Sequence, residues 1–143
     1  MRLHPYTSIL PKPLMPIDDY PILEIVIRQL KKSGFKEIII SVGHLASLIR
    51  AYFGDGDKLG LKIKYSEEDR PLGTAGPISL LEDLDEDFLL MNGDLLTNLN
   101  YKDMFERHVH SNSIASIAIC KKKVPISLGI IKLDKNKHVV DYT

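Results

Sequence analysis

The chain has 143 residues, 44% of them hydrophobic and 27% charged, an ordinary globular composition long enough for one domain, 1–143, with a real core. Lys plus Arg and Asp plus Glu balance at 19 each, so no overall field recruits nucleic acid or an anionic membrane. No apolar run approaches the roughly 20 residues of a membrane-spanning helix.

Met1-Arg2-Leu3-His4-Pro5 is followed by no signal-peptide core, and the single Cys120 has no internal disulfide partner. These features suggest a reducing, cytoplasmic setting. The apolar run Ile117-Ala118-Ile119-Cys120 predicts a buried thiol.

After a proline-rich opening, Pro21 to Lys32 carries apolar residues at helical spacing, with Pro21 suited to a first turn and Gly34 to a stop. Glu37 to Val42 is a continuous β-branched run, as expected of a parallel strand covered on both faces. Leu45 to Phe53 reads as a second helix, closed by the turn Gly54-Asp55-Gly56-Asp57, and Leu61 to Ser66 as a strand. Thr74 to Leu84 predicts a third helix, Phe88 to Met91 another buried strand, and Tyr101 to His110 a fourth helix. Ser113–Lys121, Leu128–Leu133 and His138–Tyr142 are strand-like, the last two separated by Asp134-Lys135-Asn136-Lys137. The alternation predicts a three-layer α/β fold around a mixed, doubly wound sheet.

In such sheets ligands bind beyond the carboxyl ends of the strands. The run ending at Met91 delivers Asn92-Gly93-Asp94, where glycine admits a close ligand and the carboxylate suits Mg²⁺. The competing reading is a turn bonding its own backbone. Glu67 to Gly76 is a polar, glycine-bearing loop that opens onto a predicted helix, where free amides can meet an anion or a base edge. Its spacing matches neither a Walker loop nor a dinucleotide fingerprint, and a tight turn is the plainer account. In the opening segment, prolines would hold Arg2 and Lys12 as phosphate-facing cations, against the alternative of an exposed arm. The five histidines have no metal-ligand spacing, and Lys121-Lys122-Lys123 lacks the interleaved aromatics of a nucleic-acid site.

The order Arg2-Leu3-x-Pro5-x-Thr7, Pro11-Lys12-Pro13-Leu14, Leu72-Gly73-Thr74-Ala75-Gly76, Asn92-Gly93-Asp94 and Gly129 resembles the sugar-1-phosphate nucleotidyltransferases, most of all those acting on mannose 1-phosphate and related hexose or heptose phosphates. The resemblance implies a Rossmann-like nucleotide-diphospho-sugar transferase fold. It implies transfer of a nucleotidyl group from a nucleoside triphosphate, with GTP expected, to a sugar 1-phosphate, releasing pyrophosphate with Mg²⁺ as cofactor. A homo-oligomer is compatible with it. By resemblance, Arg2 and Lys12 neutralise the reacting phosphates, and Glu67, Leu72, Gly73, Thr74, Asn92 and Gly93 fall in the nucleotide site. Asp94 matches the metal ligand, and Gly129 lines the sugar pocket.

Family members often carry Gln where Glu67 stands, so the base remains open. In relatives a strand and a Gly-Gly-x-Gly-Thr loop precede the position of Arg2, and a Glu-Lys-Pro motif and a second metal-binding Asp lie beyond the position of Thr143. The expectation is a core without its first strand and with impaired turnover, or else a non-catalytic module binding nucleotide or sugar phosphate.

Overall fold

The computed structural model describes residues 9–68, 72–73, 75–82, 84–122 and 128–142. Its first elements are short. A 3-10 turn at Lys12–Leu14 leads into β1 (Pro16–Ile17), which pairs antiparallel with β2 (Tyr20–Pro21) around Asp18 at φ 55°. Helix α1 (Ile22–Lys32) begins directly after Pro21, which stands at the N-cap with extended ψ of 146° rather than inside the first turn. Its end is closed by the Ser33 N–H on the carbonyls of Gln29 and Leu30, both at 3.0 Å, and by Gly34 at φ 100°.

A βαβ unit follows. Strand β3 (Glu37–Val42) and strand β4 (Lys62–Glu67) run parallel, in register from Glu37↔Lys62 to Val42↔Glu67. Helix α2 (Ala46–Phe53) forms the crossover. The turn after α2 requires glycine at Gly56, where φ is 93° and an added Cβ would stand 2.4 Å from the Leu61 carbonyl oxygen.

Helix α1 serves two clusters. Leu23 and Ile27 join Leu14, Ile40, Val42, Ala46, Ile49, Phe53, Leu61 and Ile63 in the main core, while Val26 and Leu30 pack with Tyr101. Tyr101 opens helix α3 (Tyr101–His110), whose N-cap Asn100 accepts the Asp103 N–H through Oδ1 at 3.1 Å. Phe35 and Phe105 meet edge to face at 5.5 Å, adding a second contact near α3. A polar strut ties α1 to α2: buried Glu24 accepts from Arg28 Nε at 2.8 Å and from the Tyr52 hydroxyl at 2.7 Å.

Several expected elements differ. The helix predicted over Thr74 to Leu84 is a 3-10 turn at Gly76–Leu80, with Thr74 and Asp83 outside the described residues. Pro77 supplies no N–H, Ser79 Oγ bonds the Gly76 carbonyl at 2.7 Å, and none of the five residues is buried, so no packing sustains α-helical bonding.

Phe88 to Met91 is covered on one face only. Leu89 and Met91 pack against the second cluster, while Phe88 and Leu90 are 43% and 52% exposed. Neither this run nor Ser113–Lys121 has a ladder partner among the described residues, and a strand exists only through its neighbour's hydrogen bonds. Cys120 is accordingly exposed rather than buried. The Leu128–Leu133 strand shortens to β5 (Ile131–Leu133), antiparallel to β6 (Val139–Tyr142), both solvent-exposed. The α/β character is as expected, but the described residues form three two-stranded ladders rather than one sheet.

Candidate functional site

Two anchored turns bring Lys12 to Asp94. The Leu14 N–H bonds the Pro11 carbonyl at 2.8 Å, and the Leu14 side chain is buried in the main core. The Ile22 N–H reaches the Met15 carbonyl at 3.0 Å, tying this segment to the start of α1. Lys12 therefore sits on a fixed turn, not on the free arm that its proline-rich surroundings also allowed.

Asp94 occupies a turn closed by the Leu95 N–H on the Asn92 carbonyl at 3.3 Å. Gly93 presses against the same helix start, since an added Cβ there would meet Leu23 Cδ1 at 3.1 Å. The Lys12 ammonium and the Asp94 carboxylate form an ion pair, with side chains 57% and 23% exposed.

The carboxyl ends of β3 and β4 carry a second set of polar contacts. Beyond the ladder, the Glu68 N–H bonds the Val42 carbonyl at 3.0 Å. The Glu68 carboxylate accepts the Ser41 hydroxyl at 3.2 Å and the Leu72 N–H at 3.0 Å. Glu67 is engaged elsewhere, by Arg50 Nη2 at 3.1 Å, and the Arg50 guanidinium lies 4.7 Å from the Tyr65 ring centroid. Burial pushes the Tyr65 phenol above its ordinary range, against the opposing pull of Arg50, and its hydroxyl donates to the Gly54 carbonyl at 2.7 Å.

Gly73 takes φ 84°, a conformation suited to glycine, and Gly76 faces the Leu72 side chain with no room for a Cβ. Sequence reasoning chose Glu67 and passed over Glu68. No local sequence signal separates the two, since they are identical neighbours.

Gly129 packs under the Tyr142 ring on the β5–β6 hairpin, where a Cβ would lie 2.5 Å from the hydroxyl oxygen. Arg2 and Thr74 lie outside the described residues. Two of the histidines have protein partners: His110 meets the Glu106 carbonyl at 2.6 Å, and His108 meets Ser116 and Asp87 at 2.9 and 3.3 Å. A 260 Å³ cleft runs between α3 and residues 116–118, and its lining does not include Lys12 or Asp94. Among the described residues no three His, Cys, Asp or Glu side chains converge into a metal cage. Asp94 offers one carboxylate, the hard-oxygen ligand type that Mg²⁺ takes together with water and substrate phosphates.

The family model described as nucleotidyl transferase matches residues 1–143. The chain is 37% identical over 120 residues to D-glycero-alpha-D-manno-heptose 1-phosphate guanylyltransferase of Aneurinibacillus thermoaerophilus, covering 82% of this chain and 52% of that protein. It is 31% identical over 158 residues to UTP-glucose-1-phosphate uridylyltransferase of Synechocystis sp., covering 99% and 40%. To mannose-1-phosphate guanyltransferase beta-B of Xenopus laevis it is 32% identical, covering 91% and 38%. The chain thus spans between about two-fifths and half of the length of these relatives.

The crystal structure of HddC from Yersinia pseudotuberculosis complexed with GMP-PN superposes with a TM-score of 0.64 at 23% identity, covering 99% of this chain and 63% of that one. This likeness shows the expected α/β fold. With the family model matched from end to end, the chain belongs to the nucleotidyl transferase family.

Proposed function

We propose that the chain carries the nucleotide- and metal-facing part of a sugar-1-phosphate nucleotidyltransferase, with GTP as nucleotide and Mg²⁺ as cofactor. The Lys12–Asp94 ion pair carries this reading, because it joins a phosphate-neutralising cation and a hard-oxygen metal ligand beside one helix start. In the reaction a sugar-phosphate oxygen attacks the α-phosphorus in line. The bond from that phosphorus to the bridging oxygen breaks, and pyrophosphate leaves. Such chemistry depends on alignment and charge neutralisation more than on a protein nucleophile.

Lys12 neutralises phosphate charge, and Asp94 offers its carboxylate to Mg²⁺ with Asn92 and Gly93 forming the supporting turn. When bound, Mg²⁺ supplies additional positive charge at the phosphate oxygens. The loop from Glu67 to Gly73 faces the base. GTP is the nucleotide expected, because two of the relatives compared above are named as guanylyl- or guanyltransferases. Gly129 is assigned to the sugar.

The test is calorimetric titration of GTP, UTP and dTTP with Mg²⁺, alongside pyrophosphate release in the presence of mannose 1-phosphate. The expected result is Mg²⁺-dependent GTP binding that disappears in Asp94→Ala. Failure to bind any of the three triphosphates overturns the reading. Binding without pyrophosphate release instead favours a nucleotide-binding module.

A further inference from the structure

We infer that Ser116, His108 and Asp87 form a second reactive site, a nucleophile, a base and an orienting carboxylate that cleave small apolar carboxylic esters at the cleft beside α3. The Ser116 hydroxyl lies 2.9 Å from His108 Nδ1, and Asp87 Oδ1 lies 3.3 Å from His108 Nε2. The inference is independent of the proposed function, because the cleft lining includes neither Lys12 nor Asp94.

The three side chains come from separate parts of the chain. His108 stands in the last turn of α3, where its carbonyl accepts both the N–H and the hydroxyl of Ser111 at 2.9 Å. Asp87 precedes the run whose Leu89 and Met91 pack against the second cluster. Ser116 belongs to the exposed stretch that lines the cleft opposite α3. The His108 side chain is only 18% exposed, so water competes little for its ring nitrogens.

With the Nε2 proton directed at Asp87, Nδ1 is the ring's acceptor and takes the Ser116 proton. Serine needs such a base, since its hydroxyl alone is a weak nucleophile. Asp87 and the negative end of α3 both stabilise the imidazolium that forms. Leu99, Met104, Ile117 and Ala118 line the cleft beside Ser116, and Arg107 on the same lining offers a cation to the developing oxyanion. The cleft holds 260 Å³, just below the ligand-pocket range that begins at about 300 Å³, which suits a short acyl chain.

The reaction needs only ester and water. Ser116 Oγ adds to the ester carbonyl carbon as its proton passes to His108 Nδ1. The carbon–oxygen bond to the alcohol breaks, and the alcohol leaves with that proton. Water then attacks the acyl-serine and gives a proton to His108, and Ser116 regains that proton as the carboxylic acid departs.

The experiment measures p-nitrophenolate release from p-nitrophenyl acetate by the full chain carrying Cys120→Ala, so that the exposed thiol takes no part. The same chain unfolded in urea gives the background. Ser116→Ala should fall to that background. His108→Ala should be slower by about 10²-fold, the lower end for general-base catalysis, and added imidazole should restore part of the rate. Asp87→Asn should lower kcat with KM unchanged, as expected of a positioning residue. Circular dichroism checks that each variant folds. Phenylmethylsulfonyl fluoride should label the unmutated chain on Ser116, located by peptide mapping.

The inference is overturned if the folded chain is no faster than the unfolded one, if Ser116→Ala keeps the rate, or if the label maps to another residue. It is equally overturned if folded His108→Ala keeps the rate, or loses it without rescue by imidazole, which leaves His108 as a clamp between two chain segments.

Discussion

Gly93 lies against Leu23, the first buried residue of α1, with 3.1 Å between Leu23 Cδ1 and the position of an added Cβ. The turn that presents Asp94 is thus seated on the helix whose preceding segment presents Lys12. The relationship explains how two residues distant in sequence come to share an ion pair.

Gly93→Ala tests that seating. Gly93 is not among the positive-φ glycines, so its backbone accepts a side chain, and the conflict is confined to Leu23. Leu23 is buried and must give by a few tenths of an ångström, an overpacking that costs about 1 kcal/mol. Chemical denaturation should show a lowered midpoint with an unchanged slope. Gly93→Val should cost more, and a double change with Leu23→Ala should recover part of the Gly93→Ala loss relative to Leu23→Ala alone.

Glycines with similar backbone angles are expected to respond differently. Gly34 and Gly56 have φ of 100° and 93°, but a Cβ at Gly34 meets nothing within 4 Å and one at Gly56 meets Leu61 O at 2.4 Å. Gly34→Ala should cost about 1–2 kcal/mol, from backbone conformation alone. Gly56→Ala adds a collision with a carbonyl beside β4 and should cost at least about 3 kcal/mol, unfolding a marginal chain. Thermal melts of the two variants give the ranking directly.

Two elements were legible in the sequence within their bounds. Helix α3 runs from Tyr101 to His110 as read, and β3 keeps the bounds set by its β-branched run. Phe88–Met91 and Ser113–Lys121 carried equally apolar signals, but a ladder needs a partner and composition names none. The site divides in the same way. Lys12 and Asp94 each stood out by residue type and position, whereas their contact depends on how the turns seat on α1 and is not written locally. Glu67 and Glu68 are chemically identical neighbours, and only the continuation of the β4 ladder to Val42 selects Glu68 for the Leu72 amide.

Two tyrosines give opposite expectations for the same deletion. The Tyr52 hydroxyl donates to buried Glu24, and that bond is the main reason its pKa is raised. Tyr52→Phe leaves the carboxylate one donor short and should cost about 1 kcal/mol, the low end for a charged partner because Tyr52 itself is half exposed. The Tyr101 hydroxyl is buried with no partner among the described groups, and burial raises its pKa. Tyr101→Phe removes an unsatisfied group at constant shape, so it should leave stability unchanged or raise it by up to about 1 kcal/mol. The urea midpoint at neutral pH should therefore fall for Tyr52→Phe and hold or rise for Tyr101→Phe.

Glu37 gives a signed pH dependence. Hydrogen bonds from Lys64 and then Lys62, at 2.5 and 3.0 Å, hold its carboxyl below the ordinary range. The folded state therefore binds the Glu37 proton more weakly than the unfolded chain does. The stabilisation is complete above the unfolded value, about pH 4.3 for a glutamate, and fades as pH falls through the depressed folded value. Glu37 is exposed, so the effect is small and salt-sensitive. Denaturation midpoints of the native chain and Glu37→Gln should differ most at pH 6–7 in low salt and converge as the pH falls toward about 3. A gap that stays constant across this range would assign the Glu37 contribution to packing rather than to its charge.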